Sequence, residues 1–368
     1  MKNQEIFQNF FSGKTVFVTG HTGFIGAWTS LWLLYLGSNV VGYSKDIPTK
    51  PSLFEILKIK NDLTHVTGDV NNLKKLKSTI EQYKPSIVFH LAAQPLVRTS
   101  YEKPIETFQT NIIGTANILE SIRNIRSVKS CILFTTDKVY RNLNNNNSFK
   151  ETDILGGVDP YSSSKSSAEL VISSYKDSFF SNTQNRLNVG IASIRSGNVI
   201  GGGDWGKERI IPDSINSIIK NKKIHVRNPL HVRPFQFVLE PVAGMLKLAE
   251  KLTKEPEKFS SSWNMGPNYS NKKITVKKLV ELLIKHWGDG VWIDASRKTS
   301  NPLPESKSLI LNSTKSKKIL NWHSIMTFEE AITFTVDWYK AFFEKKSNMR
   351  DFSLYQIKKY SQKLKQSK

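Results

Sequence analysis

A short apolar run, Thr15-Val16-Phe17-Val18-Thr19, passes directly into Gly20-His21-Thr22-Gly23-Phe24-Ile25-Gly26 and then into an apolar stretch from Ala27 to Leu36. Strand, glycine turn and helix in that order leave few folds open. In such a unit the first glycine makes the tight turn, the second lets a pyrophosphate approach the backbone, and the third lets helix and strand pack closely. The free N–H groups and the positive dipole end of the helix N-terminus then favour an anion. Gly20, Thr22, Gly23, Phe24, Ile25 and Gly26 are therefore candidate cofactor contacts.

Further strand-like runs alternate with helical stretches: Val40–Tyr43, Thr64–Thr67, Ile87–Leu91, Ser130–Phe134 and Val189–Ile194. This rhythm predicts an α/β fold, a Rossmann-type doubly wound parallel sheet with a smaller C-terminal substrate-binding lobe. Ligands of such sheets bind beyond the carboxyl ends of the strands. Gly68-Asp69-Val70, Leu91-Ala92-Ala93-Gln94, Thr136-Asp137-Lys138 and Gly197-Asn198 all fall at those ends.

Tyr161 and Lys165 are spaced to share one helix face. A lysine beside a tyrosine suits hydride chemistry, because lowering a phenol pKa by about 3 units takes about 4 kcal/mol of preferential phenolate stabilisation. Alone, this spacing is equally that of an ordinary exposed helix pair. Beside the glycine turn and the strand-end residues it points to an enzyme.

At 368 residues the chain is long enough for two lobes. Residues 1–200 read as the cofactor-binding domain, rejoined by about 235–262, and 201–345 mainly as the smaller lobe. The basic segment 346–368 reads as an exposed helix with Phe352, Leu354, Ile357 and Tyr360 as its docking face. Gly201-Gly202-Gly203 is expected to be a flexible crossing between lobes, and Asn144 to Asn147 a mobile loop. Arg209, Arg227 and Arg233 are candidates for a substrate pyrophosphate, since a planar guanidinium fork matches phosphate oxygens. The single Cys131 sits in a strand-like run and reads as packing. No metal site is expected. No signal peptide or membrane span is apparent, so a cytoplasmic protein without a membrane partner is expected. The net charge of +22 would suit nucleic acid, but no recognition motif accompanies the scattered lysines. It would also draw a doubly charged nucleotide into a basic cleft.

Several longer motifs resemble one family, the extended short-chain dehydrogenase/reductases that act on nucleotide sugars, and within it the group of 4,6-dehydratases acting on CDP-glucose. They are Gly20–Gly26 with Trp28, Pro51–Glu55, His90–Arg98, Thr136–Lys138, Leu155–Lys165, Arg195–Trp205, Val238–Pro241 and Met349–Ile357. The resemblance implies an internal redox cycle with NAD at C4 of the hexose, loss of water across C5 and C6, and hydride return to C6. It implies that Tyr161, held by Lys165 and assisted by Thr136, takes the 4-hydroxyl proton. Asp137 would be the acid for the departing hydroxyl, and Lys138 either the base or an enolate stabiliser. It adds Asp69, Val70, Leu91, Ala92, Ala93, Gln94 and Thr110 as cofactor contacts, and Gln94, Arg98 and Asn198 as substrate contacts. It also implies a homodimer and a place in deoxysugar biosynthesis of the lipopolysaccharide O-antigen kind.

The chain departs from that pattern at Ile25, Ala27, Phe235, Phe237 and the Asn-rich loop, which bears on the nucleotide base. Ser44 and Lys45 follow the second strand where an acidic residue usually grips the adenosine ribose; Lys45 would suit NADP, whereas the resemblance favours NAD. A nucleotide-sugar 4-epimerase would share Tyr161 and Lys165 but needs no elimination pair, and a dehydratase for another nucleotide-hexose would share everything. A noncatalytic nucleic-acid-binding member of the fold would explain the charge but not the intact catalytic residues.

Overall fold

The computed structural model describes residues 9–142, 148–180, 188–268, 274–296, 308–345 and 347–367, together with Phe7 and Ser306. The Asn144–Asn147 run lies outside them. Seven parallel strands form the central sheet: β1 Thr15–Thr19, β2 Asn39–Ser44, β3 Thr64–Thr67, β4 Ile87–His90, β5 Ser130–Phe134, β6 Gly190–Ser196 and β7 Ser262–Met265. Their order across the sheet is β7-β6-β5-β4-β1-β2-β3. The chain therefore winds outward in both directions from β1 and β4, and its crevice opens at the carboxyl ends of those two strands.

The two-residue period of a strand explains why both faces are covered. Val16 and Val18 of β1 enter one core with Trp28, Leu31 and Trp32 of helix α1, Phe24–Tyr35. Phe17 enters the other with Leu76 and Ile80 of α2, Leu73–Tyr83, and Ile118 and Ile122 of α3, Gly114–Ile122. Trp28 and Trp32 are almost wholly buried, and burial of a side chain of that size contributes roughly 3 kcal/mol. Helix α4, Pro160–Phe179, starts on a capping box: Asp159 accepts from the Ser162 N–H at 3.0 Å, and Ser162 Oγ reaches back to Asp159. That cap places Tyr161 in the first turn and Lys165 one turn later.

Beyond β6 the chain builds the smaller lobe around α5, Ile210–Ile219, and two short parallel pairs, Ile224–Val226 with Trp292–Asp294 and Val199–Ile200 with Gln236–Phe237. Helix α6, Leu239–Lys254, and β7 then return to the main sheet, while α7, Val276–Trp287, and α8, Phe328–Phe343, pack on each other. Gly201–Gly203 is not a flexible crossing. A Cβ on Gly202 would lie 2.0 Å from Trp338, and Gly203 has φ +80 against Leu53, so the glycines are there because neighbouring side chains leave no room. The indole N–H of Trp28 donates to the Gly202 carbonyl at 3.0 Å and fixes the crossing further.

The last helix, α9, Met349–Gln366, buries Ile357 and Tyr360 and half-buries Phe352 and Leu354. Tyr360 meets Trp32 of α1 edge to face at 5.8 Å. Its hydroxyl also reaches Glu240 at 3.0 Å, whose other oxygen accepts from the N–H groups of Ile325 and Met326. Among the described residues, no helix is long and apolar enough to cross a membrane.

Candidate functional site

The glycine turn has the shape its sequence predicts. Gly20 has φ +72, and a Cβ there would lie 2.6 Å from the Ala92 nitrogen; at Gly26 it would lie 2.1 Å from the Gly20 carbonyl oxygen. Gly23 differs, because the only neighbour its Cβ would meet is the Gly20 oxygen at 3.4 Å. Gly23 also caps α1 without any side-chain acceptor. Two glycines thus close the turn and the third leaves an open face at a helix N-terminus, which fits a dinucleotide pyrophosphate. Thr22 is buried and donates to the Asp46 carbonyl at 2.7 Å, whereas Phe24 and Ile25 are half-buried against the core.

Beside this turn, Thr19 Oγ1 accepts from the N–H groups of Leu91 and Ala92 at 3.1 and 3.2 Å and meets His90 Nδ1 at 2.8 Å. Burial, with the Lys165 charge, lowers His90 to about 3, so a neutral imidazole underlies the crevice. Gln94, expected to face ligands, spends its side chain on its own loop. Its amide oxygen accepts from Leu96 N–H at 2.6 Å, and its nitrogen donates to the Leu96 carbonyl and Thr107. Thr110 sits in a π-helical turn, Gln109–Ile113, whose Asn111 bonds the Gln94 backbone and Ser164 of α4. At the adenosine end, Lys45 pairs with Asp69 at 3.4 Å, and buried Val70 packs against Gly114.

Tyr161 and Lys165 are both buried at the carboxyl end of β5. Burial pushes the Tyr161 phenol up to about 12, against a hydrogen bond from Thr136 and the charge of Arg209, which pull it down. Burial lowers Lys165 to about 8, opposed by the Glu169 charge, and its ammonium donates to the Phe134 carbonyl at 3.4 Å. Asp137 is 2 % exposed. Thr136 donates to its Oδ1 at 3.0 Å, while Oδ2 has no hydrogen-bond partner among the described residues. Burial raises this carboxyl above the usual range; the charges of Lys138 and Arg233 and the Thr136 hydrogen bond oppose that. The Lys138 ammonium lies 5.9 Å from the centre of the Tyr161 ring. Thr136, Asp137, Lys138, Tyr161 and Lys165 therefore converge on one place.

The arginines sit around it. Arg209, at the start of α5, is held by both Asp204 oxygens at 3.0 Å. Arg233 is 8 % exposed and donates to the carbonyls of Val232 and Ser306. Arg227 is half-buried, and its charge acts on Asp213 of α5. Arg98 pairs with Glu208, next to Arg209 in the chain, at 3.2 Å. Half-buried Asn198 gives its carbonyl to Gln236 N–H. Phe235 and Phe237 are fully buried against Phe328 and Phe334, so these departures from the expected pattern belong to the core.

Glu169 and Arg195 were not among the expected site residues. Glu169 Oε1 accepts from Thr135 at 2.5 Å, and Oε2 accepts from Arg195 at 2.7 Å and Ser193 at 2.9 Å. Burial alone would raise Glu169, but the Arg195 charge and these hydrogen bonds outweigh it and hold the carboxyl below its usual range. One signal was available: Tyr161, Lys165 and Glu169 repeat at one helix-face spacing.

Known proteins resemble this chain in sequence and fold. A family model, GDP-mannose 4,6 dehydratase, matches residues 17–335. The chain is 44% identical over 336 residues to the CDP-glucose 4,6-dehydratase of Salmonella typhimurium, covering 91% of this chain and 92% of that one. Among solved structures, the dTDP-glucose 4,6-dehydratase of Bacillus anthracis in complex with NAD superposes with a TM-score of 0.72 at 23% identity, covering 89% of this chain and 97% of that one. The epimerase Mth375 of Methanothermobacter thermautotrophicus reaches 0.78 at 19% identity, covering 95% and 98%.

Proposed function

The chain belongs to the family described as GDP-mannose 4,6 dehydratase, and on that premise we propose that it converts CDP-D-glucose to CDP-4-dehydro-6-deoxy-D-glucose and water, with NAD regenerated in each turnover. It is a nucleotide-sugar 4,6-dehydratase, a hydro-lyase. The observation that carries the mechanism is Asp137, buried with one oxygen unpartnered beside the tyrosine. A 4-epimerase has no use for a carboxyl that burial holds above its usual range there.

NAD, when bound, would supply the hydride chemistry, as acceptor for C4 and later donor to C6. Gly23 and the N-terminus of α1, on the turn that Gly20 and Gly26 close, would hold its pyrophosphate, and Asp69, Val70, Leu91, Ala92, Ala93 and Thr110 would line the rest of its site. Tyr161 removes the 4-hydroxyl proton; burial pushes its phenol up to about 12, the Thr136 hydroxyl and the Arg209 charge pull it back, and Lys165 stands one turn along the same helix. The 4-ketone then acidifies C5–H. Asp137, its pKa raised by burial, delivers its proton to the C6 hydroxyl as that group departs. Lys138, facing the Tyr161 ring, takes the C5 proton or stabilises the enolate.

Arg209, Arg227 and Arg233 hold the substrate pyrophosphate, with Arg98 and Asn198 at the mouth, so residues 201–345 serve mainly as the substrate lobe. Gln94 shapes its loop, its side chain engaged by Leu96 and Thr107 and its backbone by Asn111. The relative 44% identical supports CDP-glucose, and burial of Phe235 and Phe237 takes two substitutions out of the nucleotide question. NAD is preferred over NADP because Asp69 already engages Lys45. We place assembly as a homodimer on the helices bearing Ile105, Ile113 and Leu170, each at least half exposed. Light scattering of a Leu170→Glu variant tests it: a monomer supports this face, and an unchanged mass removes it.

The test of function is mass spectrometry after incubation with CDP-, dTDP-, UDP- and GDP-hexoses and NAD. A product lighter by one water from CDP-glucose alone establishes the reading. Loss of water from another nucleotide keeps the mechanism and discards the substrate, and isomers without loss of mass would mark an epimerase.

A further inference from the structure

We propose that Tyr140 and Arg195 are positioning residues for the elimination half of the reaction, registering the Asp137-Lys138 turn against the catalytic helix. The proposal rests on the dehydratase reading above. Tyr140 directly follows the short 3-10 turn Asp137–Val139. Its hydroxyl donates to Asn264 Oδ1 at 2.7 Å and accepts from Arg195 Nη1 at 2.9 Å. The ring is fixed as well, stacked on Phe149 with centroids 4.9 Å apart and 2° between planes, with the Arg195 guanidinium 5.0 Å from its centre. Every degree of freedom of this side chain is spent.

Arg195 is equally fixed on its far side. Its Nη2 donates to Glu169 Oε2 at 2.7 Å and to Ser262 at 3.1 Å, and the pair is 4 % and 1 % exposed. Glu169 lies one turn beyond Lys165 on α4, and it also receives the hydroxyl of Thr135, the residue before Thr136. A closed circuit therefore runs from α4 through Glu169, Arg195 and Tyr140 to the turn, and back through Thr135. Ser166 of α4 donates to the Val139 carbonyl at 2.8 Å and braces the same turn. Lys165 stands at one exit of the circuit and Asp137 at the other.

The two halves of the reaction depend on this circuit unequally. Oxidation needs Tyr161, Lys165 and Thr136, carried by α4 and the end of β5, which keep their own supports. Elimination needs Asp137 Oδ2 and Lys138 in reach of C6 and C5, and the outward end of their turn is held through Tyr140. Since a shift of about 1 Å can cost about 10²-fold in rate, loosening Tyr140 slows elimination and spares oxidation. A residue that merely supports the fold would slow both alike.

Tyr140→Phe is the test, because it keeps the ring and removes only the hydroxyl. Single turnovers with excess enzyme follow the ultraviolet absorbance of reduced nicotinamide, and reactions in deuterium oxide follow label entering C5 of the product. The expected result is reduction within about twofold of wild type, with decay of that signal and C5 labelling both slowed roughly 30-fold. KM stays near wild type, while loss of a buried hydroxyl that serves Asn264 and Arg195 lowers the unfolding temperature without separating the two half-reactions. Arg195→Lys, which keeps the charge on Glu169 but loses the fork to Tyr140, carries the same expectation and serves if the first variant does not fold. Reduction and decay slowed by one common factor, or decay at the wild-type rate, would overturn the positioning role. Wild type dehydrating alongside keeps that failure separate from failure of the functional reading.

Discussion

Two buried carboxylates, both within reach of the catalytic tyrosine's surroundings, have opposite fates. Glu169, midway along α4, is filled with donors from Thr135, Ser193 and Arg195 and is held below the usual carboxyl range. Asp137, on the turn after β5, has one oxygen served and the other without a partner among the described residues, and burial holds it above that range. A saturated buried charge cannot exchange its proton without dismantling its partners, so Glu169 is scaffold. An undersaturated one is poised to hold and deliver a proton, which is the role proposed for Asp137.

Substitutions along this contrast should sort themselves by size. Tyr161→Phe removes the acceptor of the first proton and should lower kcat by roughly 10⁴-fold with no reduced nicotinamide formed; the absorbance transient checks it. Asp137→Asn should cost roughly 10³-fold in water loss while C4 oxidation persists, so the transient appears and does not decay. In wild type the elimination rate should also fall as pH rises through the elevated Asp137 pKa, and a rate-pH profile of the variant should lack that limb. Glu169→Gln should leave Arg195 as an unpaired buried charge and lower stability by about 4 kcal/mol, read by urea unfolding.

The smallest effect concerns Glu240, which burial raises to about 7 although donors from Met326 and Ile325 oppose it. Its folded pKa exceeds its unfolded value, so its contribution to stability is complete below about 4.5 and is lost as pH rises through about 7. Unfolding of wild type and Glu240→Gln, measured side by side across that window, should show wild type losing roughly 2–3 kcal/mol relative to the variant. Equal pH slopes would mean that Glu240 keeps its charge when buried.

Local pattern made much of this molecule legible. The glycine turn, the strand ends and the Tyr161 and Lys165 spacing are all statements about neighbours in sequence, and the parallel sheet gathers its strand ends on one edge by geometry alone. The Glu169 circuit was not legible, because it joins α4, β6 and the turn after β5 across long separations and its residues look like ordinary polar positions. Gly201–Gly203 misled for a related reason: a glycine needed for freedom and one needed for close packing are the same letter, and only Trp338 and Leu53 distinguish them. Gln94 sits at a ligand-facing edge, as its position suggests, yet its side chain is turned back onto Leu96 and Thr107.

The central claim is an internal transfer of hydride from C4 to C6 with water lost between. It is tested most directly with CDP-glucose carrying deuterium at C4, incubated in ordinary water with the protein and NAD, and read by proton and deuterium NMR of the product. The account predicts a 4-keto product lighter by one water with the deuterium on C6. Deuterium still at C4 in a product of unchanged mass, or a dehydrated product that has lost the label to solvent, would contradict it.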